Sequence, residues 1–492
     1  MMRLVALLPA LALTFGCATS GPVPAQAQET ASVQTERPNI VFFLVDDMGW
    51  RDTSFSGSEL YETPAIDALA SDGVVFTQAY AAYPRCVPSR YAIMSGNNPA
   101  RAQVPGGREA LEPEEVTFAE VLQDAGYATF FAGKWHLGKT ADAMPQAQGF
   151  DVNIGGGHAG APGSYFFPYS GKGKEGKRMG PGLENGEPGE YLTDRLTDET
   201  IGFIESHVAA KQDEPFLAVL SHYAVHTPFQ AQDEDKQFYR AKLRTLGPMP
   251  DPETVRRDGQ TKLAQDNPVY AGMVASMDRS LGKLREALER MGVADNTVII
   301  FTSDHGGLSN RGASSNRGLA TSNLPLRAGK GHLYEGGIRV PMIAYWPGVT
   351  PKGRTSGAVV NGTDHFATLL DLAGIGQFDG PTDSLSYIAA LRGQAFEPTR
   401  PVYWYSSRPR PSQTGDTAGA AIRLGDWKFI RRYDPKEADE LFNLAVDPEE
   451  QNNLVEAEPA RAAAMRSQLK AWLDGVDAVD PQLKRRGSEV KR

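Results

Sequence analysis

The hydrophobic residues of this chain gather into short dense runs, separated by longer stretches in which apolar and polar positions recur with a helical period. Four runs stand out: "NIVFFLV" from Asn39, "YATFFA" from Tyr127, "PFLAVLS" from Pro215 and "TVIIFTS" from Thr297. Each is rich in Val, Ile, Leu or Phe and lacks the strict alternation of a strand with one wet face. That pattern predicts parallel strands covered on both faces. The intervening stretches predict helices. "TPAIDALASDG" places Thr63 as N-cap, Pro64 at the first helical position and Gly73 as the stop. "YAGMVASMDRSLGKLREALERMG", from Tyr270, predicts a longer amphipathic helix ending at Gly292. Strand and helix in alternation predict an α/β fold: a large, mostly parallel sheet flanked by helices.

Past about residue 380 the pattern changes. "AAIRLGDWKFIRRY" predicts a hairpin with a Gly-Asp turn, "ELFNL" a short strand, and "EPARAAAMRSQLKAWLDGV" a closing amphipathic helix. Residues 37–380 are therefore expected to form the main domain and 381–492 a smaller C-terminal α+β subdomain on an antiparallel sheet. There is no internal repeat.

The first 27 residues stand outside this pattern. One Arg precedes an apolar run from Leu4 to Phe15, too short to span a bilayer, which reads as a signal-peptide core. Two cleavage readings remain open. Cys17 directly follows Gly16 at the end of the run, as in a lipoprotein signal, whereas "AQA" at Ala25 to Ala27 offers a small-x-small site. Gln28 to Glu36 read as a flexible tether. The formal charge of -10 argues against a nucleic-acid surface, but a local basic pocket for an anionic substrate is compatible with it. The chain has two Cys, and with Cys17 lipidated or removed no intramolecular disulfide is possible. Export therefore does not explain Cys86.

Chemistry concentrates just past the four strands. Asp46-Asp47 follow the first, "GKWHLG" the second, "HYAVHTPF" the third and Asp304-His305 the fourth. In open α/β sheets this carboxyl rim is where ligands bind. One Asp after a strand is commonly a turn residue. Three carboxylates at two matching strand ends instead suggest a cation, and oxygen ligands favour Ca²⁺ or Mg²⁺. A lone Cys is often just a small buried hydrophobe; here it is followed at once by Val-Pro-Ser-Arg.

These residues resemble the formylglycine-dependent sulfatases of the alkaline phosphatase superfamily, including the exported arylsulfatases and polysaccharide sulfatases. "CVPSR" matches their Cys-x-Pro-Ser-Arg signature, continued by "YAIMSG" with Ser95 where Thr is more usual. "GYATFFAGKWHLG" matches their second signature, and "NIVFFLVDDMGW", "ETPAIDALASDGVVFTQAYA", "GKGHLYEGGIRVP" and "LFNLAVDPEEQNNL" match further blocks in the expected order. The resemblance covers nearly the whole chain after the leader.

What the resemblance implies is specific. The signature Cys is oxidised by a formylglycine-generating maturation enzyme to an aldehyde, whose hydrate attacks sulfur with one hydroxyl and expels sulfate through the other. One Ca²⁺ would be held by Asp46, Asp47, Asp304 and His305 beside Cys86; His305 stands where many relatives have Asn. Arg90 would steady the hydrate. Lys134 and Lys330 would bind sulfate oxygens, His136 would relay the proton for sulfate release, and His226 would protonate the leaving oxygen. His222 is expected to be only a strand-end neighbour. His158, in a Gly-rich loop, would border the sulfate pocket. Arg311, Arg317 and Arg327 lie in a long polar loop, with Arg327 expected on the substrate. Cationic loops on an exported protein point to a sulfated carbohydrate substrate. The implied location is the periplasm, or the outer membrane for a lipid-anchored form. Three other readings stay open: a phosphonate monoester hydrolase or phosphodiesterase of the same superfamily, a two-zinc phosphatase, and a lipoprotein that binds sulfated glycans without turnover.

Overall fold

In a computed structural model of the chain, residues 37–104, 111–170, 179–211, 213–250, 253–256 and 258–478 are described. The expected leader, Cys17 and tether lie outside them. Strands β1 (Asn39–Val45), β2 (Val74–Tyr80), β3 (Ala128–Gly133), β4 (Val152–Ile154) and β5 (Phe216–Ser221) come first. They are followed by β6 (Glu253–Arg256), β7 (Gly259–Lys262), β8 (Thr297–Ser303), β9 (Asn310–Arg311), β10 (Met342–Tyr345) and β11 (Arg354–Asn361). Near the C-terminus lie β12 (Val402–Ser406), β13 (Gly419–Leu424), β14 (Trp427–Arg432) and β15 (Glu440–Asn443).

Eight strands form the main sheet in the order β11-β2-β10-β8-β1-β5-β3-β4. All pair in parallel except β10, which runs antiparallel to both β2 and β8. The four strands read from the sequence are the four adjacent ones, β8-β1-β5-β3, and β1 is buried along its whole length. Its side chains alternate between two cores: Val41, Phe43 and Val45 face one, Ile40, Phe42 and Leu44 the other. That is why Ile40 to Val45 has no polar position. Truncating Phe42 or Phe43 to Ala would cost about 3–5 kcal/mol, the range for a fully buried ring.

Helix α1 (Pro64–Asp72) starts after Thr63 as expected, yet Thr63 does not cap it. Its hydroxyl faces Asp67 and accepts from the Ser54 amide, while the first-turn amide of Ile66 donates to Asp278 at 2.8 Å. A tertiary carboxylate, on the helix Pro268–Arg290, has taken the capping role. Gly73 does end α1, with extended backbone. A side chain there would meet the Ala344 carbonyl of β10 at 2.6 Å, so close approach is what demands glycine.

The smaller antiparallel sheet, β12-β13-β14-β15, contains the expected hairpin, with Gly425 at φ +57° in its two-residue turn. The helix Pro459–Gly475 covers one face through Ala462, Met465, Leu469 and Leu473. The other face packs Trp404, Ala421, Ile430 and Phe442 against Leu333, Tyr334 and Ile338. Tyr387, Ala390 and Leu391 pack into a core of the main sheet, and the first strand of the antiparallel sheet begins at Val402. A third small sheet, β6-β7-β9, was not anticipated. No helix among the described residues is long and apolar enough to cross a membrane.

Candidate active site

Register explains why one rim collects the chemistry. Leu44 pairs with Ser221, Val45 with Ser303, and Gly133 with Ser221. The residues that follow, Asp46, His222, Asp304 and Lys134, therefore leave the sheet at one level. Helix α2 (Cys86–Ser95), the next helix after β2, begins with Cys86 itself. The positive end of its dipole thus faces the rim, where it favours an anion.

Cys86 is buried, at 7% exposure. Its Sγ lies 3.2 Å from His305 Nε2, 3.6 Å from Lys330 Nζ and 3.7 Å from Asp46 Oδ1. The Lys134, Lys330 and His305 charges hold its thiol well below the usual range, outweighing burial, which acts the other way. Donor atoms of Asp46, Asp47, Cys86 and His305 all lie within 4.8 Å of one another. Asp304 adjoins them, with its Oδ1 3.5 Å from His305 Nε2. Its Oδ1 accepts from the Asp47 amide at 3.1 Å, and its Oδ2 accepts from Arg90 Nε at 2.9 Å.

Three buried cations face these three carboxylates. Lys134 bonds Asp46 at 2.5 Å, Lys330 grips both oxygens of Asp47 at 2.5 and 2.8 Å, and Arg90 takes Asp304. Arg90 also donates to the Lys134 carbonyl and Ser221 Oγ at 2.7 and 2.8 Å. Its Nη2 is buried with no hydrogen-bond partner, 3.6 Å from Asp46 Oδ1. Desolvation pushes the Asp46 carboxyl up. Burial acts the same way on Asp47, but Lys330, His226 and His305 overcome it and hold that carboxyl low.

The histidines differ in what they face. His305 Nδ1 contacts the Gly306 carbonyl at 3.1 Å, which orients the ring so that Nε2 lies 3.2 Å from Asp47 Oδ1. His136 has its ring toward the Cys86 sulfur and its Nδ1 buried without a partner. His226 Nδ1 contacts the Thr227 carbonyl at 2.7 Å and its Nε2 points toward Asp47 Oδ2 at 3.7 Å. Burial drops its pKa to about 3, against the pull of Asp47. His222, as expected, is no part of the site: it bonds Ser280 at 3.0 Å and packs on Phe43. Two site residues have left-handed backbone, Asp47 at φ +65° and His136 at φ +60°. Such residues cost on the order of 1–3 kcal/mol each and persist where surrounding bonds over-determine them. The Asp304 and Gly157 acceptors on their amides do so here.

Two expectations about the substrate loops fare differently. His158 is exposed, next to Gly157, whose carbonyl accepts from the His136 amide. Arg327 is a correction. It forks onto Asp258 at 2.7 and 2.9 Å, donates to the Glu450 carbonyl and lies 3.7 Å over the Tyr334 ring, so its guanidinium is used up by the protein. Sequence reasoning also missed Arg85, which donates to Asp416 and Thr414 and ties the 408–416 loop to the start of α2. Its only signal was adjacency to Cys86.

The same site residues occur in a chain with clear relatives. The profile of the family Sulfatase matches residues 38–375, and that of "N-sulphoglucosamine sulphohydrolase, C-terminal" matches 328–478. The chain is 32% identical to N-acetylgalactosamine-6-sulfatase of Mus musculus over 418 residues, 80% of this chain and 71% of that protein. It is 30% identical to Arylsulfatase A of Homo sapiens over 498 residues, 92% and 91% of the two chains. A crystal structure of Ps i-CgsB in complex with k-i-k-neocarrahexaose superposes with a TM-score of 0.73 at 31% identity, covering 90% of this chain and 94% of that one. The chain belongs to the sulfatase family, with its alkaline-phosphatase-like fold, and is a sulfuric ester hydrolase.

Proposed function

We propose that this protein removes sulfate esters from a sulfated carbohydrate, using formylglycine formed from Cys86 and one Ca²⁺. The observation that carries the reading is the convergence on Cys86, at the start of α2, of Asp46, Asp47 and His305 with Lys134 and Lys330. A sugar ester is favoured because Ps i-CgsB was crystallised with a neocarrahexaose and the mouse relative is named for N-acetylgalactosamine-6-sulfate.

The donor set fits a hard divalent cation. Asp46, Asp47 and Asp304 offer carboxylate oxygens, and His305 presents Nε2 with its other nitrogen on a carbonyl, the usual arrangement of a ligating imidazole. A thiol would be the odd member of an oxygen-rich set, whereas a hydroxyl at position 86 would complete it. The cation would supply Lewis-acid polarisation of the sulfate and acidify a neighbouring hydroxyl. Arg90, Lys134 and Lys330 already match the three carboxylates in charge, so a divalent cation would leave the centre positive, as an anionic ester requires.

The chain's own groups then divide the work. Lys134 and Lys330 hold the equatorial sulfate oxygens, as cations do in the analogous phosphoryl transfer. The unpartnered Arg90 Nη2 is a donor for an oxygen beside position 86. His136, facing position 86 with a free Nδ1, relays the proton when sulfate departs. His226 presents Nε2 to the pocket while Nδ1 donates to Thr227. Its ring is neutral in the resting protein, and the anionic ester arriving beside Nε2 favours the imidazolium that hands its proton to the leaving oxygen. Because Cys86 is buried, its oxidation by a maturation enzyme belongs to the unfolded chain. The N-terminal features fit export, with a lipid on Cys17 or cleavage after Ala27.

The test is a desulfation screen with matured protein on defined sulfated oligosaccharides, alongside phenyl phosphonate esters. Sulfate release from at least one sugar, faster than phosphonate hydrolysis, is expected. Turnover of phosphonates alone would overturn the reading.

A further inference from the structure

The long loop between β9 and Lys330 carries Arg311, Arg317 and Arg327, and the structure sorts them. Arg327 is forked onto Asp258. Arg311 bonds Gln260 and the Arg317 carbonyl. Arg317 is half-buried, and among the described residues its guanidinium makes no hydrogen bond or ion pair. Its place is beside the site. The adjacent Gly318 lies against the ring of Phe229, three residues past His226. Gly312, in the same loop, is pressed against the carbonyls of Pro411 and Ser412, where a side chain would come within 2.2 and 2.8 Å. The arginine loop is thereby packed on the 408–416 loop.

That second loop carries Arg410, which is exposed and whose guanidinium likewise has no partner among the described residues. The carboxylate within its own loop, Asp416, is taken by Arg85, the residue before Cys86. The charges of Asp47 and Cys86 act on Arg317, as do those of Arg410 and Arg85 in the opposite sense. Two guanidinium groups therefore sit on packed loops beside the site with no acid paired to either among the described residues, one of them partly desolvated. A half-buried unpaired cation beside a like charge is unfavourable. An anion between the two relieves both costs, and the guanidinium fork matches the paired oxygens of a sulfate or carboxylate. Lys134 and Lys330, beside Cys86, are already assigned to the group that reacts.

Resting on the sugar-sulfatase reading above, we propose that Arg317 and Arg410 bind a second anionic substituent of the substrate, so that the enzyme prefers a sugar chain bearing another sulfate or a carboxylate near the scissile sulfate.

Matched disaccharides test this. Each pair shares the scissile sulfate; one member carries a second sulfate or a uronate carboxylate, the other a hydroxyl or a methyl ester there. Wild type should prefer the dianionic member, and the stronger preference identifies sulfate or carboxylate as the group. Arg317→Ala or Arg410→Ala should lower kcat/KM on that member about 10–30-fold, mainly through KM, the lower part of the range for losing a charge-assisted hydrogen bond at a partly open site. On the monoanionic member the loss should stay within about 2-fold, with Arg317→Lys intermediate on the dianionic one. Equal losses on both members, or no wild-type preference, would overturn the proposal. Binding of the disulfated disaccharide to Cys86→Ala protein, with and without Arg317→Ala, needs no turnover. A 10-fold weakening there upholds the pair even if the screen above finds a different reaction, and equal binding rejects it.

Discussion

Replacing His226 with Ala separates chemistry from structure through the leaving group. The ring makes three polar contacts: Nδ1 with the Thr227 carbonyl at 2.7 Å and the Thr227 hydroxyl at 3.3 Å, and a long Nε2 approach to Asp47 at 3.7 Å. Its loss frees one carbonyl next to a partly open pocket and leaves Asp47 still gripped by Lys330. The stability cost is therefore about 1 kcal/mol, the worth of one ordinary hydrogen bond. The catalytic cost depends on the ester. A sugar alkoxide is strongly basic, and a positioned acid contributes about 10²–10⁴-fold to its departure. That corresponds to about 2.7–5.5 kcal/mol of barrier. Nitrophenolate leaves with little help, so its ester should lose no more than about 10-fold. Rates on a sulfated sugar and on nitrophenyl sulfate, with Tm alongside, give the two ratios. Equal losses with an unchanged Tm would assign the acid to another residue. Equal losses with a lowered Tm would make His226 a packing residue.

Other outcomes follow from neighbouring groups. Asp47→Asn should lower Ca²⁺ content and turnover together, as read by metal analysis; full activity without metal, or two zincs per chain, would refute the assignment. Lys428 is fully buried between Glu335 and Glu450, at 3.0 and 2.8 Å, where β14 meets the segment leading to β10. Lys428→Met should destabilise by about 3–5 kcal/mol in urea, because two buried carboxylates lose their cation; a loss below 1 kcal/mol would contradict that. Burial and Glu335 raise the Glu450 carboxyl from 4.5 to about 7, while Lys428 opposes them. The folded state therefore holds an extra proton between these values, and stability should fall as pH rises from about 4.5 to 7, by about 3 kcal/mol. Glu450→Gln should lack that slope; parallel pH curves for variant and wild type would refute it.

What the sequence made legible is what lies at strand ends. β1, β3, β5 and β8 announced themselves because burial on both faces makes them dense apolar runs, and Asp46, Lys134 and Asp304-His305 followed them. Cys86, Arg90 and Lys330 were legible only through motif resemblance, since no strand pattern points to them. β10 was invisible as an antiparallel insertion because four apolar residues fit either direction. Tertiary pairing defeated local reading elsewhere. Thr63 looked like a cap, but Asp278 arrives from more than two hundred residues away. Arg327 looked free, but Asp258, across the chain from the loop, claims it. The Asp304 carboxylate was legible at its strand end, but its bonds to Arg90 and the Asp47 amide, from distant parts of the chain, were not.

The central claim is that position 86 acts as an aldehyde hydrate and not as a thiol. The direct measurement is peptide mass spectrometry across residue 86, on full-length protein made with and without a formylglycine-generating enzyme and paired with desulfation rates. The account predicts replacement of sulfur by aldehyde oxygen in the active preparation, activity proportional to the converted fraction, and a folded but inactive Cys86→Ala protein. Full activity with an unmodified thiol at position 86 would contradict it.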